Sequence, residues 1–311
     1  TPVVSSAASD VYKRQFREKM SKPIVLTGIT TSGTPHLGNY VGAIRPAINA
    51  SRSSELDSFF FLADYHAIVK TSDSKRIAQS TLEIASAWIA LGLDCNTVTF
   101  YRQSDIPEIT ELAWILNTIA AKGLLNRAHA YKSAVQNNLS IDEDGDAGIS
   151  MGLFSYPVLM AADILMFNAS LVPVGKDQIQ HIEMARDIAQ RFNHLYETLF
   201  EIPTAQVDDK SSVLTGLDGR KMSKSYNNII PLFCSEKQLK KYINKIKTNL
   251  LEPGQPKDPD ESAVFEIWSA FASDADTESM RVAFKEGIGW GDAKNKPVSY
   301  THLRAHETEY D

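Results

Sequence analysis

Cysteine is nearly absent from this chain: two in 311 residues, Cys95 and Cys234. That excludes a disulfide framework and a four-cysteine zinc site, and it points to a reducing compartment. Long apolar runs are missing as well. The longest, around Phe59 to Ala63, falls far short of the ~20 residues a helix needs to cross a bilayer. Neither G-x-x-x-x-G-K-[ST] nor G-x-G-x-x-G occurs, so the two common glycine-rich phosphate cradles are ruled out. Glycine (16) and proline (13) are too scarce for collagen-like or low-complexity sequence. Cations are outnumbered, with 32 lysines and arginines against 38 acids for a net charge of −6. That argues against a protein that coats nucleic acid through bulk charge, while leaving room for one local basic face. No repeat of 20–50 residues is visible.

What remains is globular. Hydrophobic residues make up 43 % and charged residues 23 %, and the length suits two domains. The two ends read differently from the middle. Residues 1–15 lack the apolar stretch of a signal peptide, and 297–311 show no helical period. Both resemble translated sequencing-adapter sequence; natural disordered tails are the other reading. On the first reading the natural chain is expected to run from near Phe16 to near Lys296.

Between them, strands alternate with helices. Lys22 to Gly28, Ser58 to Ala63, Thr97 to Tyr101 and Leu171 to Gly175 read as short buried strands. Helices are expected from about Gly38 to Asn49 and after Asp73, a capping residue. In the second, Ile77, Thr81, Ile84, Trp88 and Leu91 form one face and Gly92 is the stop. Further helices follow Pro107, with Leu112, Ile115, Leu116 and Ile119 inward, and run through Ile179 to Phe192. The acidic stretch Asn137 to Gly148 reads as an insertion loop without the distal glutamate of a calcium loop. After Ser235 the chain is helical again, with Leu239, Tyr242, Ile243 and Ile246 inward. This alternation predicts an α/β fold with a doubly wound, Rossmann-like parallel sheet over 16–212, and a smaller helical domain over 213–296.

Two constellations carry chemistry. The first is Thr34-Pro35-His36-Leu37-Gly38-Asn39, at the start of the first helix. Unpaired helix amides suit a phosphate there, His36 can donate to a phosphate oxygen, and Gly38 lets a flat base or ribose approach. Ordinary helix-start punctuation is the alternative. The second is Lys221-Met222-Ser223-Lys224-Ser225. Its lysines, three apart between small hydroxyl residues, could hold outer phosphates as point charges.

Together the two motifs resemble class I aminoacyl-tRNA synthetases. Four more stretches sharpen the resemblance: Gly28 to Gly33 (GITTSG), Ala63 to Ile68 (ADYHAI), Tyr156 to Asp163 (YPVLMAAD) and Val172 to Gln178 (VPVGKDQ). All are similar to the tryptophanyl-tRNA synthetases of bacteria, almost continuously from Lys22 to Lys296. Two departures stand out. The loop after the first strand lacks the family's commoner glutamine and proline, and no lysine lies within the acidic 137–148 insertion. The resemblance implies that Thr30, Thr31, Ser32, Gly38, Asn39, Gly175, Lys176, Asp177 and Val213 line an ATP site, and that Lys221 to Ser225 close over the triphosphate beside His36. Asp163 would accept the indole N–H, Tyr156, Met160, Val172 and Val174 would pack the ring, and Gln178 would meet the amino-acid end. His66 either borders that pocket or is a hydrogen-bonded core histidine. An indole has one donor and no acceptor, so a carboxylate at the end of an apolar slot matches it. Asp163 could instead cap a helix.

The resemblance further implies ATP with Mg2+, L-tryptophan and tRNA(Trp) as partners, a homodimer, a cytoplasmic location and no resident metal. A tyrosyl-tRNA synthetase, or a nucleotide- or RNA-binding relative without tRNA charging, are the rival readings. The family's helical domain continues beyond Trp290, so a C-terminally truncated chain is expected. Lys237, Lys240, Lys241, Lys245 and Lys247 form a basic stretch that is either a tRNA phosphate contact or a solvated face.

Overall fold

Ile24, Val25 and Leu26 are buried in succession, which a strand tolerates only inside a parallel sheet covered on both faces. The computed structural model describes residues 22–175, 178–207 and 214–307. Chain order begins with β1 (Ile24–Thr30), α1 (Leu37–Asn39), a π turn (Tyr40–Ile44), α2 (Arg45–Ser51), β2 (Asp57–Ala63), α3 (Asp64–Ile68), α4 (Ser74–Ala90) and β3 (Thr99–Arg102). Next come α5 (Glu108–Ile119), α6 (Lys122–Leu125), α7 (His129–Ser140), α8 (Met151–Met166), β4 (Leu171–Pro173), α9 (Ile179–Leu195) and β5 (Thr204–Gln206). The last elements are α10 (Glu236–Asn244), α11 (Ala263–Phe271), α12 (Asp274–Lys285) and α13 (Trp290–Glu307).

The five strands form one sheet in the order β3-β2-β1-β4-β5, and every neighbouring pair is parallel. This is the doubly wound, Rossmann-like arrangement, with its reversal between β1 and β4. Ligands of such sheets bind beyond the carboxyl ends of the strands at that reversal. The β1–β2 contact is tight at Gly28, where a Cβ would lie 2.4 Å from the Phe61 ring.

Two compact units emerge. One takes in 22–30, 51–72 and 96–207; the other takes in 31–50, 73–95 and 214–307. In the first, α5, α8 and α9 pack together against the strands, burying Leu116, Ile164, Leu165, Ile182 and Ile188. In the second, Leu37 and Val41 share a core with Leu214, Met222, Ile230, Leu239 and Trp268. The helix that follows the first strand therefore joins the C-terminal residues because its apolar side chains are buried among theirs.

Local signals explain most boundaries. Asp73 Oδ1 accepts the Arg76 amide at 3.0 Å to start α4, and Gly92 follows its end at φ +93°. Ser235 and Gln238 form a reciprocal capping pair on α10.

Four expectations need correction. Ile115 is 46 % exposed, beside Trp114 at 71 %, because the inward face of α5 runs Ile109, Ala113, Leu116 and Ile119 instead. The acidic loop begins later than Asn137, since α7 continues to Ser140. Residues 297–307 continue α13, which is held by buried Ala293 and Val298 and by the Lys294 ammonium on the Asn244 and Ile246 carbonyls. β5 falls where no strand is read from the sequence, because its three residues carry too little pattern. The 1–15 tail lies outside the described residues. Among the described residues, no helix is long and apolar enough to cross a membrane.

Candidate active site

The second unit brings together the two motifs, which lie almost two hundred residues apart in sequence. Leu37 N donates to the Ile230 carbonyl and Leu232 N to the Pro35 carbonyl, both at 3.0 Å, around a bridge between His36 and Pro231. The lysine motif precedes this segment directly and docks on the first. Met222 is buried beside Gly38, where a Cβ would lie 3.5 Å from the Met222 Cβ. The ammonium of Lys224 lies 3.2 Å from where a Cβ at Gly33 would stand.

The loop is held from behind by α4. Ser80, fully buried, accepts from Gly33 N and donates to Gly33 O, each at 2.9 Å. Arg76 donates to the Thr34 hydroxyl at 2.7 Å. Asn39 Oδ1 accepts the His36 amide at 3.1 Å, closing the first turn of α1. Within this frame two buried polar atoms, Thr31 Oγ1 and His36 Nδ1, have no hydrogen-bond partner. Buried polar atoms are usually paired, so both are suited to a polar ligand. Burial, and secondarily the Lys224 charge, pull the His36 ring down to about 4. The imidazole is thus neutral near pH 7, with one nitrogen donating and one accepting.

The lysine loop has an internal hub that the sequence reading missed. Asn228 is buried; its Nδ2 donates to Asp218 Oδ1 at 2.7 Å and to the Lys221 carbonyl at 3.0 Å, and its Oδ1 accepts the Ser223 amide at 2.8 Å. A Cβ at Gly216 would lie 2.4 Å from the Asn228 side chain, so the turn must carry glycine there. The Asn228 hydrogen bond, together with those from Arg220, holds the Asp218 carboxyl well below the usual carboxylate range. Arg220 also lies over the Tyr226 ring, 4.2 Å from its centre. Lys221 is exposed, Ser223 is half-buried, and Ser225 belongs to a short 3-10 turn, Lys224–Tyr226.

The first unit holds the other group. Tyr156, Met160 and Asp163 lie at steps of four and three on α8, hence on one face. Val172 is buried in the first unit's core, and Met160 and Val174, half-buried, pack against it. Asp163 is fully buried in mid-helix, which removes the capping alternative. Its Oδ2 accepts from His66 Nε2 at 2.8 Å and its Oδ1 from Gln103 Nε2 at 2.7 Å. Burial pushes the Asp163 carboxyl up, and the His66 and Gln103 bonds oppose that. His66 is therefore tied to the pocket's carboxylate, and it meets the Tyr156 ring edge-on. The Tyr156 hydroxyl is bonded to His181 Nε2, and His181 Nδ1 to Gln178 Oε1 at 2.8 Å. Because Gln178 Oε1 only accepts, Nδ1 carries the proton and Nε2 takes the tyrosine hydrogen. Burial moves Tyr156 up to about 12, so it stays a neutral phenol. Two hydrogen-bonded chains thus run through the group, one from Gln103 through Asp163 to His66 and one from Tyr156 through His181 to Gln178, meeting only at the edge contact between His66 and Tyr156. Neither Gln103 nor His181 carries a motif signal in the sequence.

Thr30 ends β1, half-buried opposite Ala63, and Gly175 is exposed just past β4; both belong to the first unit. Ser32 is half-buried in the second. Lys176, Asp177 and Val213 lie outside the described residues. Among the described residues, no three of His, Cys, Asp and Glu gather as metal ligands.

Comparison with known proteins bears on this geometry. Residues 18–296 match the family of class I tRNA synthetases (W and Y). The tryptophan–tRNA ligase of Pseudomonas syringae pv. tomato is 62 % identical over 275 residues, covering 88 % of this chain and 61 % of that protein. That of Neisseria meningitidis is 59 % identical over 276 residues, covering 88 % of this chain and 82 % of its own. This chain thus spans about three-fifths of the length of several relatives it matches. The crystal structure of tryptophanyl-tRNA synthetase from Campylobacter jejuni, complexed with ADP and tryptophan, superimposes with a TM-score of 0.82 at 42 % identity, over 92 % of this chain and 86 % of that one. A docked lysine motif, a parallel five-stranded sheet and a family match over most of its length lead to one conclusion: this chain belongs to the class I tRNA synthetases of the tryptophanyl and tyrosyl kind.

Proposed function

We propose that this chain carries the catalytic part of a tryptophan–tRNA ligase. The observation that carries the reading is Asp163: a fully buried carboxylate, fixed on both oxygens, at the end of an apolar helix face. A site of this kind selects a ligand with one ring donor and no acceptor. It rejects a ligand lacking that donor by factors that reach ~10⁴–10⁵, because the acceptor is then left unpaired.

ATP is the substrate from which the family forms its adenylate. A carboxylate oxygen of tryptophan attacks the α-phosphorus in line. A new P–O bond forms, the bond to the bridging oxygen breaks, and pyrophosphate leaves. In the second step a ribose hydroxyl at the tRNA end attacks the acyl carbon, and AMP leaves with the electron pair. Position and charge do most of the work. Lys221 and Lys224 neutralise the outer phosphates. His36, being neutral, donates one hydrogen bond to a phosphate oxygen without adding charge. Thr30, Thr31, Ser32, Gly38, Asn39, Gly175, Lys176, Asp177 and Val213 line the nucleotide. Tyr156, Met160, Val172 and Val174 pack the ring, and Gln178 meets the amino-acid end. Mg2+ enters as part of the ATP substrate, held by the phosphates.

The exposed lysines 237, 240, 241, 245 and 247 supply a basic surface for tRNA phosphates. The functional unit is a homodimer, an assembly for which the exposed apolar side chains Trp114 and Ile115 of α5 offer adjacent contact area. The reaction places the protein in the cytoplasm, where tRNA is charged.

Amino-acid-dependent pyrophosphate exchange tests this directly and needs no tRNA. Exchange with tryptophan and little with tyrosine is expected. A preference for tyrosine would overturn the assignment.

A further inference from the structure

Gln103 is fully buried, lies outside every motif of the family resemblance, and touches the one carboxylate on which the proposed specificity turns. It opens the 3-10 turn Gln103–Asp105 that follows β3. The next residue pins that turn: Ser104 N and Oγ donate to Asp64 Oδ1 and Oδ2 at 3.0 and 2.5 Å. Gln103 Oε1 accepts the Tyr65 amide at 3.0 Å, and its Nε2 donates to Asp163 Oδ1 at 2.7 Å.

These two bonds leave the carboxamide a single orientation. Turned over, its NH2 group would face a backbone N–H, and its oxygen would face a carboxylate. Both contacts are repulsive and buried, where unmade hydrogen bonds are costly. The backbone at the start of α3 therefore decides which end of Gln103 meets Asp163. With His66 on the other oxygen, the carboxylate is held at two points, so its plane is fixed. Each carboxylate oxygen can accept more than one hydrogen, so capacity remains for a ligand donor.

We propose that Gln103 is a positioning residue for indole recognition: by fixing the Asp163 carboxylate as an oriented acceptor, it sets the preference for a ring N–H. This rests on the tryptophan pocket proposed above, and the test separates the two.

Binding of L-tryptophan and of 3-benzothienylalanine, in which sulfur replaces the ring N–H, is measured by calorimetry on the intact chain. The parent chain should prefer tryptophan. Gln103→Met, of similar length but with no donor, should reduce that preference by about tenfold to a hundredfold, since hydrogen bonds to charged groups carry effects of that order. Gln103→Glu keeps the volume and the acceptor for Tyr65 N but turns an oxygen toward Asp163. It should reduce the preference as well, and it carries the test if the methionine variant does not fold. A merely structural role would weaken both ligands in parallel. A preference within about twofold of the parent in the variants would overturn the inference. Asp163→Asn separates the outcomes. If it abolishes the preference while the Gln103 variants keep it, the inference alone fails. If it too leaves the preference intact, the pocket reading fails.

Discussion

The two groups of candidate site residues, one in each unit, are built on opposite plans. Around Asp163, the polar groups named above answer one another: Gln103, His66, Tyr156, His181 and Gln178 form bonded pairs on or beside regular elements. Around Lys224, the backbone is a loop pinned from outside by Ser80, Arg76 and Asn228, while Thr31 Oγ1 and His36 Nδ1 have no partner. On the proposed function, the contrast follows from what each group of residues would handle. A rigid, neutral ring with one donor is best recognised by an acceptor whose direction is already set. A polyphosphate whose charge shifts during reaction is best met by cations and free donors on a loop.

That contrast can be broken in order of expected effect. Lys224→Ala should lower the rate of pyrophosphate exchange by about 10²–10³, the usual cost of removing a charge aimed at a transition state, with tryptophan affinity unchanged. A matching loss of tryptophan binding would mean the two groups are not independent. Asn228→Ala should act more mildly. It frees the loop rather than removing a charge, so about a tenfold rise in the KM for ATP is expected, with a loss of about 1–3 kcal/mol in stability from unpaired buried groups. Denaturant unfolding and initial-rate kinetics read the two effects separately; an unchanged KM for ATP would remove Asn228 from the loop's support. The smallest effect concerns His36. Its folded value, about 4, lies below the free value of 6.5, so the unfolded chain binds its proton first. Its stabilising contribution is complete above pH 6.5 and is lost as pH falls toward 4. His36→Gln should flatten that part of the stability profile relative to the parent, and parallel profiles would place the ring in water.

Legibility differed in the same way. Tyr156, Met160 and Asp163 were grouped through the family resemblance, and it is the structure that puts them on one face of a helix. The strands β1 and β2 announced themselves by successive apolar residues, and Asp73 and Gly92 marked α4. Gln103, His181 and Asn228 were not readable. Gln103 and His181 owe their importance to a partner far along the chain, 60 residues to Asp163 and 25 to Tyr156, while the partners of Asn228 lie within ten residues but meet it only because of how the loop folds. Ile115 misled because two adjacent faces of α5 both carry apolar side chains, and only packing decides which is buried.

The sequence by itself determined the alternation of strands and helices, hence the parallel sheet, and the presence of a histidine loop and a lysine loop. These depend on residues close together, whose spacing fixes geometry. Only the tertiary structure decided that residues 31–50 share a core with those after 214, that His36 loses its charge, and that Asp163 has both oxygens held. Burial, desolvation and the direction of a hydrogen bond are properties of neighbours in space, and no local pattern in the chain encodes which neighbours those will be.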